Sequence, residues 1–163
     1  MRNLFAFPNP VNEKAARVVA AGVVLVGTAF LATTSPWVLA ALAYGFWARV
    51  LAGPRLSPLG QFATRIVAPH LGDARLVAGP PKRFAQAVGV AFSSTALVAY
   101  FTVGAGVAQV IIGLLVVAAA LEAFLGLCLG CKAFGFLMKA GIVPDSVCLE
   151  CADISRRYPQ PAR

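Results

Sequence analysis

From Ala15 to Thr34 the chain runs for 20 residues with one charge, Arg17, near the start. Twenty helical residues, rising about 1.5 Å each, reach across the roughly 30 Å hydrocarbon core of a bilayer. The run is too long for the apolar region of a cleaved signal peptide, and no good small-x-small site precedes Pro36. Further apolar stretches come after it, so it reads as the first of several transmembrane helices. Composition agrees: 60% of the 163 residues are apolar and 12% are charged. A soluble domain is about 45–50% apolar and about 25% charged. A disordered chain is excluded, and the composition argues strongly against an ordinary soluble domain.

The first helix is expected over about 15–34, with Asn12 as its N-cap and Glu13 in the first turn. Ser35-Pro36 starts a second, over about 36–51, which Gly53-Pro54 ends. Trp37 and Trp47 mark its ends as interfacial aromatics, and Arg49 is placed to snorkel from its last turn. Ser57-Pro58 opens a short amphipathic helix over about 58–68, with Leu59, Phe62, Ile66 and Val67 on one stripe, lying on the membrane surface until Pro69 ends it. A third helix is expected over about 84–101 and a fourth over about 107–139. Gln86 and Ser93-Ser94-Thr95 are the polar content of the third, read as bonding a neighbouring helix or their own backbone. The fold expected is all-α: one four-helix membrane bundle with an interfacial helix and a C-terminal cytoplasmic helical hairpin.

Charge fixes the orientation expected. There are 14 Lys and Arg against 6 Asp and Glu, a net charge of +8. In a soluble protein this would raise nucleic acid as a partner. Here the basic residues lie in the N-terminal segment, the central connection and the C-terminal tail, counting Arg17 and Arg49 at helix ends. The two short links, near 34–35 and 102–106, hold none. Four spans place the three basic segments on one side, and the positive-inside rule makes it cytoplasmic, both termini included.

Four cysteines form two C-x-x-C pairs, Cys128/Cys131 and Cys148/Cys151. A reducing cytosol argues against permanent structural disulfides. Gly141 suits a helix C′ position, and Pro144 with Asp145 suits the start of a last helix over about 144–155. Residues i and i+3 share a helix face, so each pair presents two thiols together. The two pairs share one midpoint, 139.5, for Cys128 with Cys151 and for Cys131 with Cys148. A hairpin turning near Gly141 would bring all four to one level. Three readings stay open. One is a dithiol redox or sulfur-carrying centre, in which Lys132 and the helix N-terminus beneath Cys148 favour thiolate and Glu150 opposes it. The second is a structural zinc held by Cys128, Cys131, Cys148 and Cys151. The third is ordinary buried or interfacial cysteine.

Glu122 lies inside the fourth span, where a carboxylate is costly and marks a candidate functional site. On a continuous helix it is about 120° from Cys128 and 180° from Cys131, at 100° per residue, so it would not share the cysteine face. Gln86 or Ser93 is the expected partner. Gly126 and Gly130 form a G-x-x-x-G close-packing pattern. His70 stands alone and reads as a loop histidine. No GxGxxG, Walker, HExxH or GxSxG pattern occurs.

Three stretches together resemble the bacterial family known as domain of unknown function 4395: Phe7-Pro8-Asn9-Pro10-Val11-Asn12-Glu13, Pro81-Lys82-Arg83-Phe84-Ala85-Gln86, and Leu121 to Cys131 with its Cys-Leu-Gly-Cys. The resemblance spans roughly residues 7–151. It implies a small multi-helix protein of the bacterial plasma membrane, found beside thioredoxin-like and sulfurtransferase proteins. A soluble protein of either kind is then the expected partner, and nucleic acid is not. The leading expectation is membrane thiol-redox or sulfur handling. The alternatives are a non-enzymatic scaffold with a four-cysteine zinc clamp and a small-solute permease using Glu122. Whether the chain is an enzyme stays open between them.

Overall fold

The computed structural model describes residues 7–144 together with Val147, Cys148 and Cys151. The described chain is almost all helix. A two-residue strand β1 (Val11–Asn12) leads into α1 (Glu13–Thr33) and α2 (Pro36–Ala52). After a 3-10 turn (Gly53–Arg55) come α3 (Pro58–Gln61), a π-helical turn (Phe62–Val67) and α4 (Ala68–His70). Strand β2 (Leu76–Val77) precedes α5 (Gly79–Thr102), α6 (Ala105–Leu125) and α7 (Leu129–Lys139).

Four helical stretches are long and apolar enough to cross a membrane: Glu13–Thr33, Pro36–His70, Gly79–Thr102 and Ala105–Leu125. In lipid the backbone must satisfy its own polar groups, which is why apolar runs of this length close into helices. Their outward side chains are apolar too, as with Leu25, Val98, Val110 and Leu114, all exposed. An apolar exterior suits lipid and would aggregate in water.

The four long helices pack α1 on α6, α6 on α5 and α5 on α2, with α1 also meeting α2. Val23, Phe30, Leu39, Phe46, Ala96 and Ile112 form the centre of the core. The two short links meet at one end, where Tyr100 Oη donates to the Thr34 carbonyl and Gln109 Nε2 to that of Leu31, at 3.0 and 3.1 Å. At the other end β1 pairs antiparallel with β2, Val11 opposite Val77, and Lys14 Nζ donates to the Leu71 carbonyl. The N-terminal segment, the central connection and the start of α7 thus share one end.

The first two helices begin and end within two residues of expectation, and Asn12 caps α1 by accepting from the Lys14 N–H. Other elements differ. The third helix starts at Gly79, because Pro80 and Pro81 fall in its first turn, where no N–H is needed. The fourth is not continuous over 107–139; it stops at Leu125 and a separate α7 begins at Leu129. The surface helix runs on through Pro69 to His70, because a π turn, with the Ala68 N–H bonded to the Ala63 carbonyl, absorbs the proline. It rests its small residues Gly60, Ala63 and Ala68 on the bundle and leaves Phe62 and Ile66 outward. Arg49 does not snorkel; it turns inward and is buried. The two-residue β1–β2 pairing has no alternating pattern that could announce it. Gly141, just past the end of α7, has φ 73°. The last helix expected over about 144–155 lies mostly outside the described residues.

Close packing of α2 on α5 depends on Gly89, where an added β-carbon would run into the Phe46 ring. That ring is buried. Gly89→Leu is expected to destabilise the bundle by about 1–3 kcal/mol. Gly113→Ala, with nothing within 4 Å of the new carbon, should leave stability unchanged or raised. Thermal unfolding of both variants in one detergent checks this.

Candidate functional site: a dithiol at a helix start

Helix α6 ends because Gly126 adopts the left-handed conformation, φ 70° and ψ 14°. The Gly126 N–H bonds to the Glu122 carbonyl at 3.1 Å, and the Leu127 N–H to that of Leu121 at 3.0 Å. This is the Schellman closure that glycine favours, since a β-carbon is strained at that φ. Arg17 of α1 caps the next carbonyls, its Nε and Nη2 reaching Ala123 and Phe124 at 3.2 and 2.9 Å. A cation there also suits the negative end of the helix dipole.

Three residues later the chain turns helical again with Cys128 as N-cap, extended at φ −81° and ψ 102°. Its Sγ accepts the Cys131 backbone N–H at 3.4 Å. Helix starts leave N–H groups unpaired, and a thiolate can take one up as a capping oxygen does. Cys128 is buried and Cys131 half-buried, and neither is in a disulfide. Gly130 seats this turn on α5, where its β-carbon would lie 2.6 Å from Ala85 Cβ. Phe134 packs on Phe84. Of the G-x-x-x-G pair, then, only Gly130 serves close packing; Gly126 terminates a helix.

Below the thiols, Lys82 Nζ meets Glu122 Oε1 at 2.6 Å, both side chains largely buried. Glu122 therefore pairs with Lys82. Gln86, one turn further along α5, instead accepts from Arg49 Nε at 2.7 Å, and Ser93 bonds the carbonyls of Gly89 and Val90 in its own helix. The break at Gly126 also changes the angular relation expected of a continuous helix: Glu122 and Cys128 line one small cavity of about 100 Å³. A larger cavity of about 660 Å³ is lined by Lys82, Cys128, Cys131, Lys132, Met138 and Cys151. Cys148 and Cys151 are joined in a disulfide, and Cys151 lines the same larger cavity as Cys128 and Cys131.

The two free thiols are unequal. The hydrogen bond from the Cys131 thiol holds Cys128 below the ordinary thiol range, helped by Lys82 and the Cys131 N–H, against burial and Glu122. Cys131 is pushed up by that same bond to Cys128, by burial and by the Cys128 charge. The first proton therefore leaves Cys128 and the second stays on Cys131. Among the described residues no group of three or more His, Cys, Asp or Glu is gathered to hold a metal. Cys148 and Cys151, as a disulfide, offer no thiolates, so the described residues do not fit a four-cysteine zinc. His70 is exposed at the end of α4.

Lys82 escaped the sequence reading, which took it for a loop residue. The signal was present: Lys82 and Gln86 are i and i+4, one face of a helix, once Pro80-Pro81 is read as a first turn.

The family model of a domain of unknown function (DUF4395) matches residues 11–139, which takes in α1 to α7 with Glu122, Cys128 and Cys131. No curated protein and no solved structure matches.

Alkylation by iodoacetamide, measured against pH, should show Cys128 reacting with a midpoint below the ordinary thiol value of about 8.5. Lys82→Met removes a cation and leaves Glu122 unpaired, and both changes move that midpoint up. Glu122→Gln removes an anion and moves it down. Shifts in one common direction would show that the ion pair does not act on the thiol.

Proposed function

The chain belongs to the family described as domain of unknown function DUF4395, and from that premise we propose that it is a thiol–disulfide exchange protein of the bacterial plasma membrane. The observation that carries the reading is Cys128 capping α7 with the Cys131 N–H on its sulfur. A helix start lowers the cost of a thiolate, and the second thiol of the pair lies one turn on. Cys128 thiolate attacks one sulfur of a disulfide, forms a mixed disulfide and releases the other sulfur as thiolate. Cys131 then loses its proton and attacks Cys128 Sγ, releasing the second thiolate. Two electrons pass to the partner, and Cys128–Cys131 becomes the disulfide. The nearest disulfide is Cys148–Cys151, whose Cys151 lines the same cavity. The tail pair thus serves as the intramolecular station between Cys128/Cys131 and a soluble thioredoxin-like or sulfurtransferase protein. A permease reading is less well supported, since Glu122 is already neutralised by Lys82.

Replacing both Cys131 and Cys148 with serine removes the thiols that would resolve a mixed disulfide from either side. The expected result on mild oxidation with diamide is a stable Cys128–Cys151 disulfide, seen as a linked peptide after proteolysis, while the native chain gives none. Absence of that link, with Cys128 alkylating freely, would overturn the relay. Metal analysis of the same anaerobic preparation, with thiol counting, separates it from a clamp: about one zinc per chain with four protected thiols would replace this reading.

The basic end, with Arg17, Arg75, Lys82 and Lys132, is taken as cytoplasmic. In a cysteine-free background, cysteine at position 104 should be labelled from outside and at position 75 from inside. The reverse pattern would place the thiols in an oxidising compartment.

A further inference from the structure

Arg49 is a second buried charge at this end of the bundle, and thiol exchange does not use it. It is 5% exposed. Its Nε bonds Gln86 Oε1 at 2.7 Å, its Nη1 bonds Ser57 Oγ at 3.4 Å, and its guanidinium lies 4.6 Å from the Phe46 ring centre. Its Nη2 is buried without a hydrogen-bond partner. Among the described residues no carboxylate lies within ion-pair distance; the ion pairs present are Glu13 with Arg75 and Glu122 with Lys82. Neutral partners do not cancel a buried charge, and an unpaired one is costly. Its place in the last turn of α2 supplies only partial compensation from the helix dipole.

Beside it is a cavity of about 280 Å³, lined by Arg49, Gln86, Lys82 and Thr64 and walled by apolar residues such as Pro8 and Val19. Since Glu122 neutralises Lys82, the site carries one uncompensated positive charge. A phosphodiester carries one negative charge, whereas free phosphate near neutral pH is closer to two. Apolar walls exclude a fully hydrated ion and accept glycerol and the first methylenes of an acyl chain. The cavity lies at the end of the bundle where the basic residues gather, and clustered basic residues attract anionic headgroups.

We propose that this cavity binds the phosphodiester head of an anionic phospholipid, with the Arg49 guanidinium as its cation. The lipid supplies the counter-charge that the described residues lack and ties Phe7 to Pro10 to the ends of α2 and α5.

The test uses the full chain in neutral detergent. Phosphatidylglycerol should raise the unfolding temperature and remain bound at about one per chain by native mass spectrometry. Phosphatidylcholine and inorganic phosphate should do neither. Arg49→Gln should weaken phosphatidylglycerol binding at least roughly tenfold, as expected for losing a charge-assisted bond. Should that variant fail to fold, Thr64→Tyr, which fills the cavity and leaves Arg49 intact, should abolish the bound lipid. Equal binding of the two lipids, or phosphatidylglycerol retained in either folded variant, overturns the proposal. Stabilisation by inorganic phosphate equal to that by phosphatidylglycerol overturns the lipid and leaves a free-phosphate site.

Discussion

A helix that crosses a membrane must stop where water or protein can take its last carbonyls. In this chain that stop is made by one conformation, the left-handed Gly126, and one cation, Arg17. The rest of the site depends on it. Had α6 continued, Cys128 and Cys131 would sit mid-helix with every neighbouring N–H already bonded. Because it stops, a second helix starts, and Cys128 receives an N–H that has no other partner. The glycine is there for its positive φ, and the Cys128 sulfur at a helix start is a consequence of the helix break that this φ produces.

The ion pair below has its own logic. Lys82 and Glu122 come from different spans, and either one alone would be an unpaired charge within the bundle. Together they are neutral, yet they are unequal towards the thiols: Lys82 lowers the Cys128 proton affinity and Glu122 raises it. The pair therefore holds α5 against α6 while setting a field at the sulfur. Arg49, one turn further in, has no such partner among the described residues, which separates a balanced site from an unbalanced one at the same end of the bundle.

The long helices were legible because their signal is long: twenty apolar residues cannot be confused with much else. Caps were legible where their chemistry is specific, as with Asn12 and Ser35-Pro36. The break at 126–128 was not, because glycine inside an apolar run also reads as a packing residue, and Gly130 four positions on does pack. That single misreading displaced the angular argument for Glu122. The ion pair was missed for a related reason. Two prolines before Lys82 looked like loop, although prolines are tolerated in a first turn. Arg49 looked like a residue that would reach water, and only the packing of Phe46 and Gln86 around it shows the inward turn. Local patterns thus located the two thiols and Glu122, and non-local packing decided that Lys82 meets them.

Position relative to the bilayer bears on the thiol exchange proposed for this junction. A thiolate in hydrocarbon would be protonated by desolvation, and one in open solution would lack the Lys82–Glu122 field. Cys128 lies three residues past the end of α6, buried under α5 and facing a cavity that Cys131 and Cys151 also line. It is outside the apolar span yet within reach of the charges at the span's end. The amphipathic stretch from Pro58 to His70 and the short β1–β2 pairing close the same end around it, with Phe62 and Ile66 turned outward. Those elements add no chemistry. They hold the ends of α1, α2 and α5 together, and α5 is the helix that places Lys82 beneath Cys128.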